Sequence, residues 1–518
     1  MFRRSALKAL NSPGIRFVTR TPAAVNRSSP LSTSSSVATK EGYKSFGSFH
    51  SDNVEVLIRQ DSDTYVKPKL PKVVQEKYDE LLQSVSCNQC RFGKESKKLF
   101  MLDDQFIFLN HGAFGLTLKI INEYGNAWRE YCESQPLRFF DRDLLPHLVY
   151  SYRTFGKFIN CIPENLVLIP NATYGINSIV RSVVKTKEDH VLLLNVSYGA
   201  VKKIVETVCK DNSSSFDVVE IPLNTPPCSK SNSKHESNEI GNNYGAGTKF
   251  EENILSVLEK TIEPKHKLII FDHTTSNTGL NLPIERMAKV CKKYGAKVAI
   301  DGAHGLLAQR LDINDLFNNH RIDFYVGNCH KWLCSSKGLA FMCVNRQIVD
   351  DNNDRERLGA EPEIVPRVIS HGYGDGFISN YMWDGCRDYS SALTLPLLLK
   401  FWELYDLDSI REYQHNTLKH SVERLVNMWY RNGNSASSPS LSLNNIDCSK
   451  TNANMIAPFS FHSPMVLIKL PDKFQAINPI DRMYCNSSTD AKEIQDYLYY
   501  EKKIEAPIKN IDSVLYCR

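Results

Sequence analysis

Long apolar runs are missing from this sequence of 518 residues. A membrane-spanning helix needs about 20 consecutive apolar residues, and no stretch approaches that length, so the sequence predicts no membrane span. The N-terminus also lacks the uninterrupted apolar core of a secretory signal.

The 14 cysteines follow no regular spacing. In a long chain without a secretory signal, scattered cysteines are typical of reduced thiols in an intracellular protein, and we predict no disulfides. Cys87 and Cys90 form one C-N-Q-C pair, but a zinc or redox site needs a second pair or a strand-to-helix context, and neither is evident. We therefore interpret this pair as structural and predict no metal site.

Acidic residues are absent from residues 1–40, which contain many serines and seven basic residues: Arg3, Arg4, Lys8, Arg16, Arg20, Arg27 and Lys40. An acid-free leader rich in Arg and Ser is typical of a mitochondrial transit peptide, so we predict a targeting leader and a mitochondrial location. The alternative is a disordered basic tail on a cytoplasmic protein. Subtracting these seven charges from the formal net charge of +5 leaves −2 for the rest, so nucleic acid is not an implied partner.

Short apolar runs alternate with helical stretches between residues 106 and 344. The runs are LVLIPNAT, HVLLLNVSYG, FDVVEIPL, KLIIFDHTT, KVAIDGAHG, IDFYVGNCHKW and GLAFMCV. This alternation predicts an α/β fold in which helices cover both faces of a mainly parallel sheet.

Composition divides the remaining chain. Two segments rich in Ser and Asn, 226–247 and 433–452, predict disordered surface insertions. A helical pattern is present over residues 73–85. The predicted units after the leader are an N-terminal arm (41–100), a large domain (101–385) and a small α+β C-terminal domain (386–518).

Polar residues follow the apolar runs, where the carboxyl ends of parallel strands collect ligands. KVAID ends in Asp301, and IDFYVGN is followed by Cys329, His330 and Lys331. Desolvation penalises a buried ammonium, and the resulting neutral amine is a nucleophile that condenses with aldehydes. An aspartate on a neighbouring strand end suits the protonated nitrogen of a pyridine ring. A buried structural ion pair is the alternative.

A phosphate site is indicated after LVLIP, where residues 171–175 (NATYG) open a helix. Free backbone N–H groups and the Thr173 hydroxyl would face an anion there. Thr173 serving only as an N-cap is the alternative. Tyr198, which ends HVLLLNVSY, is placed either to lie against a flat heterocycle or to pack in the core.

Six motifs carry a family resemblance, in order and at consistent spacing over residues 101–518: LNHGAFG, QPLRFFDRDL, PNATYGIN, DGAH, GNCHKW and SHGYGDGF. The chain resembles the class V aminotransferase family, specifically its isopenicillin N epimerase-like branch. The resemblance implies pyridoxal 5'-phosphate (PLP) as cofactor and fold type I, with a seven-stranded, mostly parallel sheet. It also implies a homodimer with active sites near the subunit interface.

The resemblance assigns roles to individual residues. Lys331 matches the lysine that holds PLP as a Schiff base, and Asp301 matches the partner of the pyridine nitrogen. His304 would lie near the ring oxygen and Tyr198 on the ring. The remaining implied contacts are to the phosphate (Ala172, Thr173, Asn328, His330), to the substrate (Asn110, His111, Arg518) and from the partner subunit (383–388).

Three departures from the family pattern are visible. Cys386 stands where a phosphate-binding threonine is usual, and a thiol is a weak donor. Asn277 replaces a usual proline, which predicts a less rigid loop after Asp272. The sequence stops at Arg518, where relatives continue, so a truncated C-terminus with a poorly closed small domain is expected.

The reaction is left open by the cofactor, because PLP labilises any bond at the α-carbon of an amino acid. We favour β-elimination by a C–S lyase or cysteine desulfhydrase, which needs one base and a leaving sulfur. Epimerisation, cysteine desulfuration and transamination are alternatives. Desulfuration needs a mobile nucleophilic cysteine, and no cysteine occurs between Cys343 and Cys386. A non-enzymatic dimeric scaffold is the least favoured, since it would typically lack Lys331 or Asp301.

Overall fold

A computed structural model describes residues 51–87, 92–223, 243–346, 364–430, 454–462, 464–480 and 483–518. The predicted leader and the insertion at 433–452 lie outside the described residues, as does most of the insertion at 226–247. The last residues of the latter, from Asn243, begin a helix.

Seven strands form the central sheet, in the order β2-β8-β7-β6-β5-β3-β4. Strands β3 to β7 pair in parallel, and β8 runs antiparallel to both β7 and β2. Strands β2 and β5 to β8 are buried almost throughout, as expected when both faces of a sheet are covered. The predicted mainly parallel, seven-stranded α/β fold is thus confirmed. The strands are β2 (Leu166–Ile169), β3 (His190–Leu194), β4 (Phe216–Val219), β5 (His266–Asp272), β6 (Lys297–Gly302), β7 (Phe324–Asn328) and β8 (Ala340–Val344).

The α-helices of the described residues are mostly amphipathic segments that alternate with the strands. None of them is long and apolar enough to cross a membrane. They are α1 (Ser51–Arg59), α2 (Lys72–Cys87), α3 (His111–Phe114), α4 (Lys119–Ser134), α5 (Pro136–Arg138), α6 (Leu144–Phe158), α7 (Ala172–Val183), α8 (Gly199–Asp211), α9 (Asn243–Thr261), α10 (Ile284–Lys292), α11 (Ile313–Asn318), α12 (Phe377–Met382), α13 (Ser390–Leu393), α14 (Leu395–Trp402), α15 (Leu407–Tyr430) and α16 (Ser488–Lys502).

The N-terminal helices pack against the body of the protein. The helix expected over 73–85 is confirmed as α2. Helix α1 buries Val54 and Ile58 in the main hydrophobic core. The buried carboxylate of Glu55 accepts a hydrogen bond from the Ser379 backbone N–H at 2.9 Å, which joins α1 to α12.

Five short strands, four of them from the C-terminal part of the chain, form two further sheets. One is a three-stranded antiparallel sheet, β11-β12-β9, and the other is the parallel pair β1 and β10. The β1–β10 pair places the loop that starts at Leu109 beside the C-terminal strands. The strands are β1 (Ile107–Phe108), β9 (Ile468–Lys469), β10 (Ile504–Glu505), β11 (Ile508–Ile511) and β12 (Val514–Cys517).

Candidate active site

A pocket of about 320 Å³ lies at the carboxyl ends of β5, β6 and β7 and at the start of α7. It is walled on another side by the C-terminal strand pair. Nine residues that the sequence predicted for the site line it: Ala172, Thr173, Tyr198, Asp301, His304, Asn328, His330, Lys331 and Arg518.

Lys331 is the buried amine of this pocket, only 9% exposed. Its Nζ lies 2.9 Å from Nε2 of His304. Burial lowers the pKa of Lys331 to about 8, although the negative charge of Asp301 opposes this change. A larger fraction of the amine is therefore neutral and nucleophilic near pH 7 than for an ordinary lysine.

Two carboxyl groups end neighbouring strands beside this amine. Asp301 on β6 is in register with Asp272 on β5, and both are buried. Asp301 Oδ1 accepts a hydrogen bond from the Ala303 backbone N–H at 3.0 Å, which fixes its orientation. Burial raises the pKa of both groups, and the proximity of Asp301 raises that of Asp272 further. A cationic ligand group beside Asp301 would favour its ionised form.

The surroundings of His304 favour a neutral imidazole. Burial, followed by the positive charges of Lys331 and Arg518, holds its pKa well below the usual range. Its Nε2 contacts Lys331, whereas the buried Nδ1 has no hydrogen-bond partner among the described residues. A buried polar atom without a partner is costly, so a polar ligand atom beside it would be stabilising.

The N-terminus of α7 forms a cradle for an anion. Asn171 is the N-cap, and its side chain accepts a hydrogen bond from the Tyr174 N–H. The expectation that Thr173 is only the N-cap is therefore wrong, because Asn171 fills that role. Asn328, at the end of β7, accepts from the Ala172 N–H at 3.0 Å and joins β7 to this turn. The helix dipole and the Thr173 hydroxyl face the same pocket.

His330 and Tyr198 complete this side of the pocket. His330 Nδ1 lies 3.1 Å from the Leu339 carbonyl oxygen, and burial lowers the pKa of His330 to about 4. Tyr198 precedes α8 and is 44% exposed, so the alternative of a core-packed tyrosine is wrong. Its exposed ring is available to a flat ligand.

The loop around α3 contacts the backbone of Lys331 on the side away from the pocket. His111 Nε2 lies 3.0 Å from the Lys331 carbonyl oxygen, and its ring stacks on Trp332 with centroids 5.1 Å apart. Gly115 has φ +70°, and an added Cβ would overlap the His330 carbonyl oxygen. His111 thus supports the Lys331 backbone and does not line the pocket, whereas Asn110 contacts Arg518.

Arg518 closes the opposite end of the pocket. Its Nη1 donates to the Ser276 carbonyl oxygen at 2.6 Å, and its Nη2 donates to Asn110 Oδ1 at 2.9 Å. In the loop that contains Ser276, the Thr275 and Thr278 hydroxyls form a hydrogen bond of 2.6 Å. This contact stabilises the loop for which the sequence, with Asn277 in place of a usual proline, predicted lower rigidity.

Ten lining residues were not among the predicted site residues, and they include Asp272, Ser276 and Lys509. Asp272 ends the apolar run KLIIFD, just as Asp301 ends KVAID, so the same sequence pattern could have predicted Asp272 as a pocket residue. Lys509 carries no such signal, because its place in the pocket depends on the pairing of β11 with β12. In the described part of the chain, no group of His, Cys, Asp and Glu suited to a metal ion occurs.

Comparisons with known proteins agree with this architecture. The family model described as aminotransferase class V matches residues 248–457. A protein named "Probable L-cysteine desulfhydrase, chloroplastic" from Arabidopsis thaliana is 27% identical, over 63% of this chain and 65% of that protein. An L-cysteine desulfhydrase from the same plant is 24% identical over 77% of each. Isopenicillin N epimerase of Streptomyces clavuligerus also matches.

A solved structure shows the same fold at low sequence identity. It is a C-DES mutant with glycine covalently linked to the PLP cofactor, and it aligns with a TM-score of 0.56 and 16% identity. The alignment covers 81% of this chain and 93% of that one. The fold is therefore that of PLP-dependent enzymes of fold type I. Residues 248–457, which include Asp301 and Lys331, are thus similar to the aminotransferase class V family, and PLP is the cofactor that this similarity indicates.

The pocket residues fit this cofactor. An aldehyde needs a neutral amine, and burial of Lys331 favours that form. A protonated pyridine nitrogen needs a carboxylate partner, and its positive charge would favour the ionised form of Asp301 against the effect of burial. The phosphate needs N–H and hydroxyl donors, which the start of α7 presents. The unsatisfied Nδ1 of His304 offers one further polar contact.

Proposed function

We propose that this protein is a PLP-dependent C–S lyase that performs β-elimination on L-cysteine or an S-substituted cysteine. The observation that carries the proposal is the composition of the pocket. It contains one buried amine, Lys331, beside Asp301, and no cysteine is among its lining residues in the described part of the chain. Elimination needs one base, whereas desulfuration needs a thiol within reach. The desulfhydrase names of two relatives support the same reaction.

Each residue has a distinct task in this proposal. Lys331 Nζ would hold the cofactor and would serve as the base for the α-proton of the substrate. Asp301 would be the partner of the pyridine nitrogen, and PLP would supply the electron-withdrawing ring. Asn328, His330 and the start of α7 would hold the phosphate, and Tyr198 would contact the ring.

Substrate orientation is assigned to the other end of the pocket. The Arg518 guanidinium offers a fork of N–H donors to the α-carboxylate, and Asn110 fixes that fork through Nη2. Holding the carboxylate would fix the orientation of the α-carbon, and this orientation would select which of its bonds reacts. His111 acts indirectly, by holding the Lys331 backbone.

A product assay tests the proposal. The purified protein is given L-cysteine, and sulfide, pyruvate and ammonia are measured together with the D-amino acid and a persulfide. We expect pyruvate, ammonia and sulfide in equal amounts. Accumulation of D-cysteine without pyruvate would establish epimerisation instead, and alanine with a persulfide would establish desulfuration. A keto acid formed only when a second keto acid is supplied would establish transamination.

A homodimer is proposed on the basis of the exposed pocket rim. Phe114 lines the pocket, yet its side chain is 73% exposed, and the nearby Tyr198 is also open to solvent. A second subunit would cover these rings and bring residues 383–388 towards the phosphate. Light scattering of the purified protein should give a mass of two chains, and a monomer at full activity would contradict the proposal.

A mitochondrial location is proposed from the acid-free composition of residues 1–40. A fluorescent protein fused to this segment should enter mitochondria, whereas the same fusion with the arginines replaced by glutamines should not. A chloroplastic relative supports only an organellar destination in general. Cytosolic fluorescence of the first fusion would contradict the proposal.

A further inference from the structure

A second cation lies beside Arg518 in the pocket wall. Lys509 on β11 lines the same pocket. Within the described part of the chain, its ammonium has no hydrogen-bond or ion-pair partner. Burial, followed by the positive charge of Arg518, lowers the pKa of Lys509. A half-buried ammonium without a protein partner is unfavourable and is a candidate for ligand binding.

Strand pairing places the two cations on one face of the small sheet. The Arg518 backbone N–H donates to the Pro507 carbonyl oxygen at 3.0 Å, so these two residues lie opposite each other. Lys509 is two residues beyond Pro507, opposite Tyr516. Side chains two apart on a strand share a face, and diagonal neighbours across an antiparallel pair are within reach of long side chains. Lys509 and Arg518 therefore point to the same side.

The carboxylates of the pocket do not neutralise this end. The two lining carboxylates, Asp272 and Asp301, sit at the ends of β5 and β6, beside Lys331. In the part of the chain that the structure describes, the Arg518 guanidinium donates to two neutral oxygens, those of Ser276 and Asn110. Among the described residues, neither Lys509 nor Arg518 has a carboxylate side chain as a partner, and an amino-acid α-carboxylate supplies only one negative charge.

We propose that Lys509 is a specificity residue that selects amino-acid substrates bearing a second anionic group on the side chain. For a C–S lyase, these are cysteine S-conjugates with a terminal carboxylate or sulfonate. The inference rests on the proposed function for the scissile bond. Arg518 takes the α-carboxylate bidentately, and the compact ammonium of Lys509 takes the distal anion as a point charge.

The chemistry balances without a further reactant. With S-carboxymethyl-L-cysteine, the α-proton moves to Lys331 Nζ and the Cβ–S bond breaks with its electron pair on sulfur. The released aminoacrylate takes up water to give pyruvate and ammonia, and the leaving group is mercaptoacetate. No oxidation or reduction occurs.

A matched ligand pair tests the proposal on the PLP-loaded protein. S-carboxymethyl-L-cysteine carries a distal carboxylate, and S-carbamoylmethyl-L-cysteine carries a neutral amide of the same size. Binding is followed by the change in visible absorption of the cofactor as each ligand is added. We expect the acid to bind on the order of tenfold more tightly than the amide, because it gains one partly desolvated ion pair. In Lys509→Gln this ratio should fall to near one.

A matched lysine provides the control. Lys502 is exposed at the end of α16 and outside the pocket, and Lys502→Gln should keep the wild-type ratio. Equal binding of acid and amide by the wild type, or an unchanged ratio in Lys509→Gln, would overturn the proposal. Loss of bound PLP in Lys509→Gln would also overturn it, because the lysine would then serve the cofactor.

The outcomes separate this inference from the proposed function. An acid preference in binding without any pyruvate would contradict the C–S lyase but would support the assignment of Lys509. Pyruvate formed equally well from acid and amide, with equal binding, would support the lyase and contradict the assignment.

Discussion

The two ends of the pocket are built in different ways. The Lys331 end uses the last residues of adjacent parallel strands, which lie in the most deeply buried part of the protein. The Arg518 end is formed by residues that are distant in the chain. Arg518 itself donates hydrogen bonds to Ser276 and to Asn110, which is 408 positions away. The first end therefore has a rigid support, whereas the second depends on loops and a small sheet. This division suits a family that keeps its cofactor chemistry and varies its substrates.

The largest effect is expected at the rigid end. Lys331→Ala should lower turnover by more than about 1,000-fold, because it removes both the covalent attachment and the proposed base. The visible absorption of the covalently held cofactor should disappear, while far-UV circular dichroism stays unchanged. Lys337→Ala, in the same loop but outside the lining residues, should keep the absorption. Wild-type turnover in Lys331→Ala would contradict the assignment.

The two neighbouring carboxyl groups should differ in importance. Asp301→Asn should keep PLP bound and lower turnover by about 100- to 1,000-fold, because a neutral amide does not hold the pyridinium proton. Asp272→Asn should cost less than about tenfold, because burial and Asp301 already favour its neutral form. Steady-state kinetics of both variants check this order, and equal losses would show that the two strand ends act as one unit.

The loop at Gly115 connects the two ends. Gly115→Ala should destabilise the protein by about 3 kcal/mol, because left-handed strain adds to overlap with the His330 backbone. Gly338 has a similar φ of +79° and open space around it, so Gly338→Ala should cost only about 1 kcal/mol. Urea denaturation of both variants measures the difference. Equal losses would mean that the close approach at Gly115 is unimportant.

At the second end, Arg518→Lys should act mainly on substrate binding. The KM for amino acids should rise about 10- to 100-fold with a smaller change in kcat, because an ammonium does not replace the bidentate fork. Arg310→Lys is the control, since Arg310 is exposed and pairs with Asp408 on the surface. A fall in kcat with unchanged KM would place Arg518 in the chemical step instead.

The smallest effect concerns pH. Burial lowers the pKa of Lys331 to about 8, so its amine becomes increasingly neutral as the pH rises towards that value. The rate of PLP attachment to the cofactor-free protein should therefore increase with pH and level off above about pH 8. Stopped-flow absorbance measures this rate. A rate still rising steeply at about pH 10 would indicate an ordinary lysine.

The positions of the residues at the Lys331 end were predictable from the sequence, because they follow from local patterns of apolar and polar residues. The apolar runs KVAID and IDFYVGN form buried neighbouring strands. The polar residues that follow parallel strands lie at the same edge of the sheet, which places Asp301 and Lys331 together. The same runs predicted a mainly parallel sheet, whereas the number of seven strands was implied by the family resemblance.

At the Arg518 end, the contacts between distant segments of the chain were not predictable from the sequence. Nothing in IKNI marks Lys509 as a pocket residue before β11 pairs with β12. The position of His111 behind the Lys331 backbone depends on its stacking with Trp332, which no local pattern encodes. Arg518 was anticipated only through the family resemblance.

Mapping the cofactor attachment tests the central claim most directly. The purified protein is treated with borohydride, which fixes the cofactor to the amine that holds it, and is then digested for mass spectrometry. We predict one pyridoxyl-phosphate adduct per chain, on the peptide that contains Lys331. An adduct on another lysine, such as Lys337 or Lys509, or no adduct from a protein that turns over cysteine, would contradict the account.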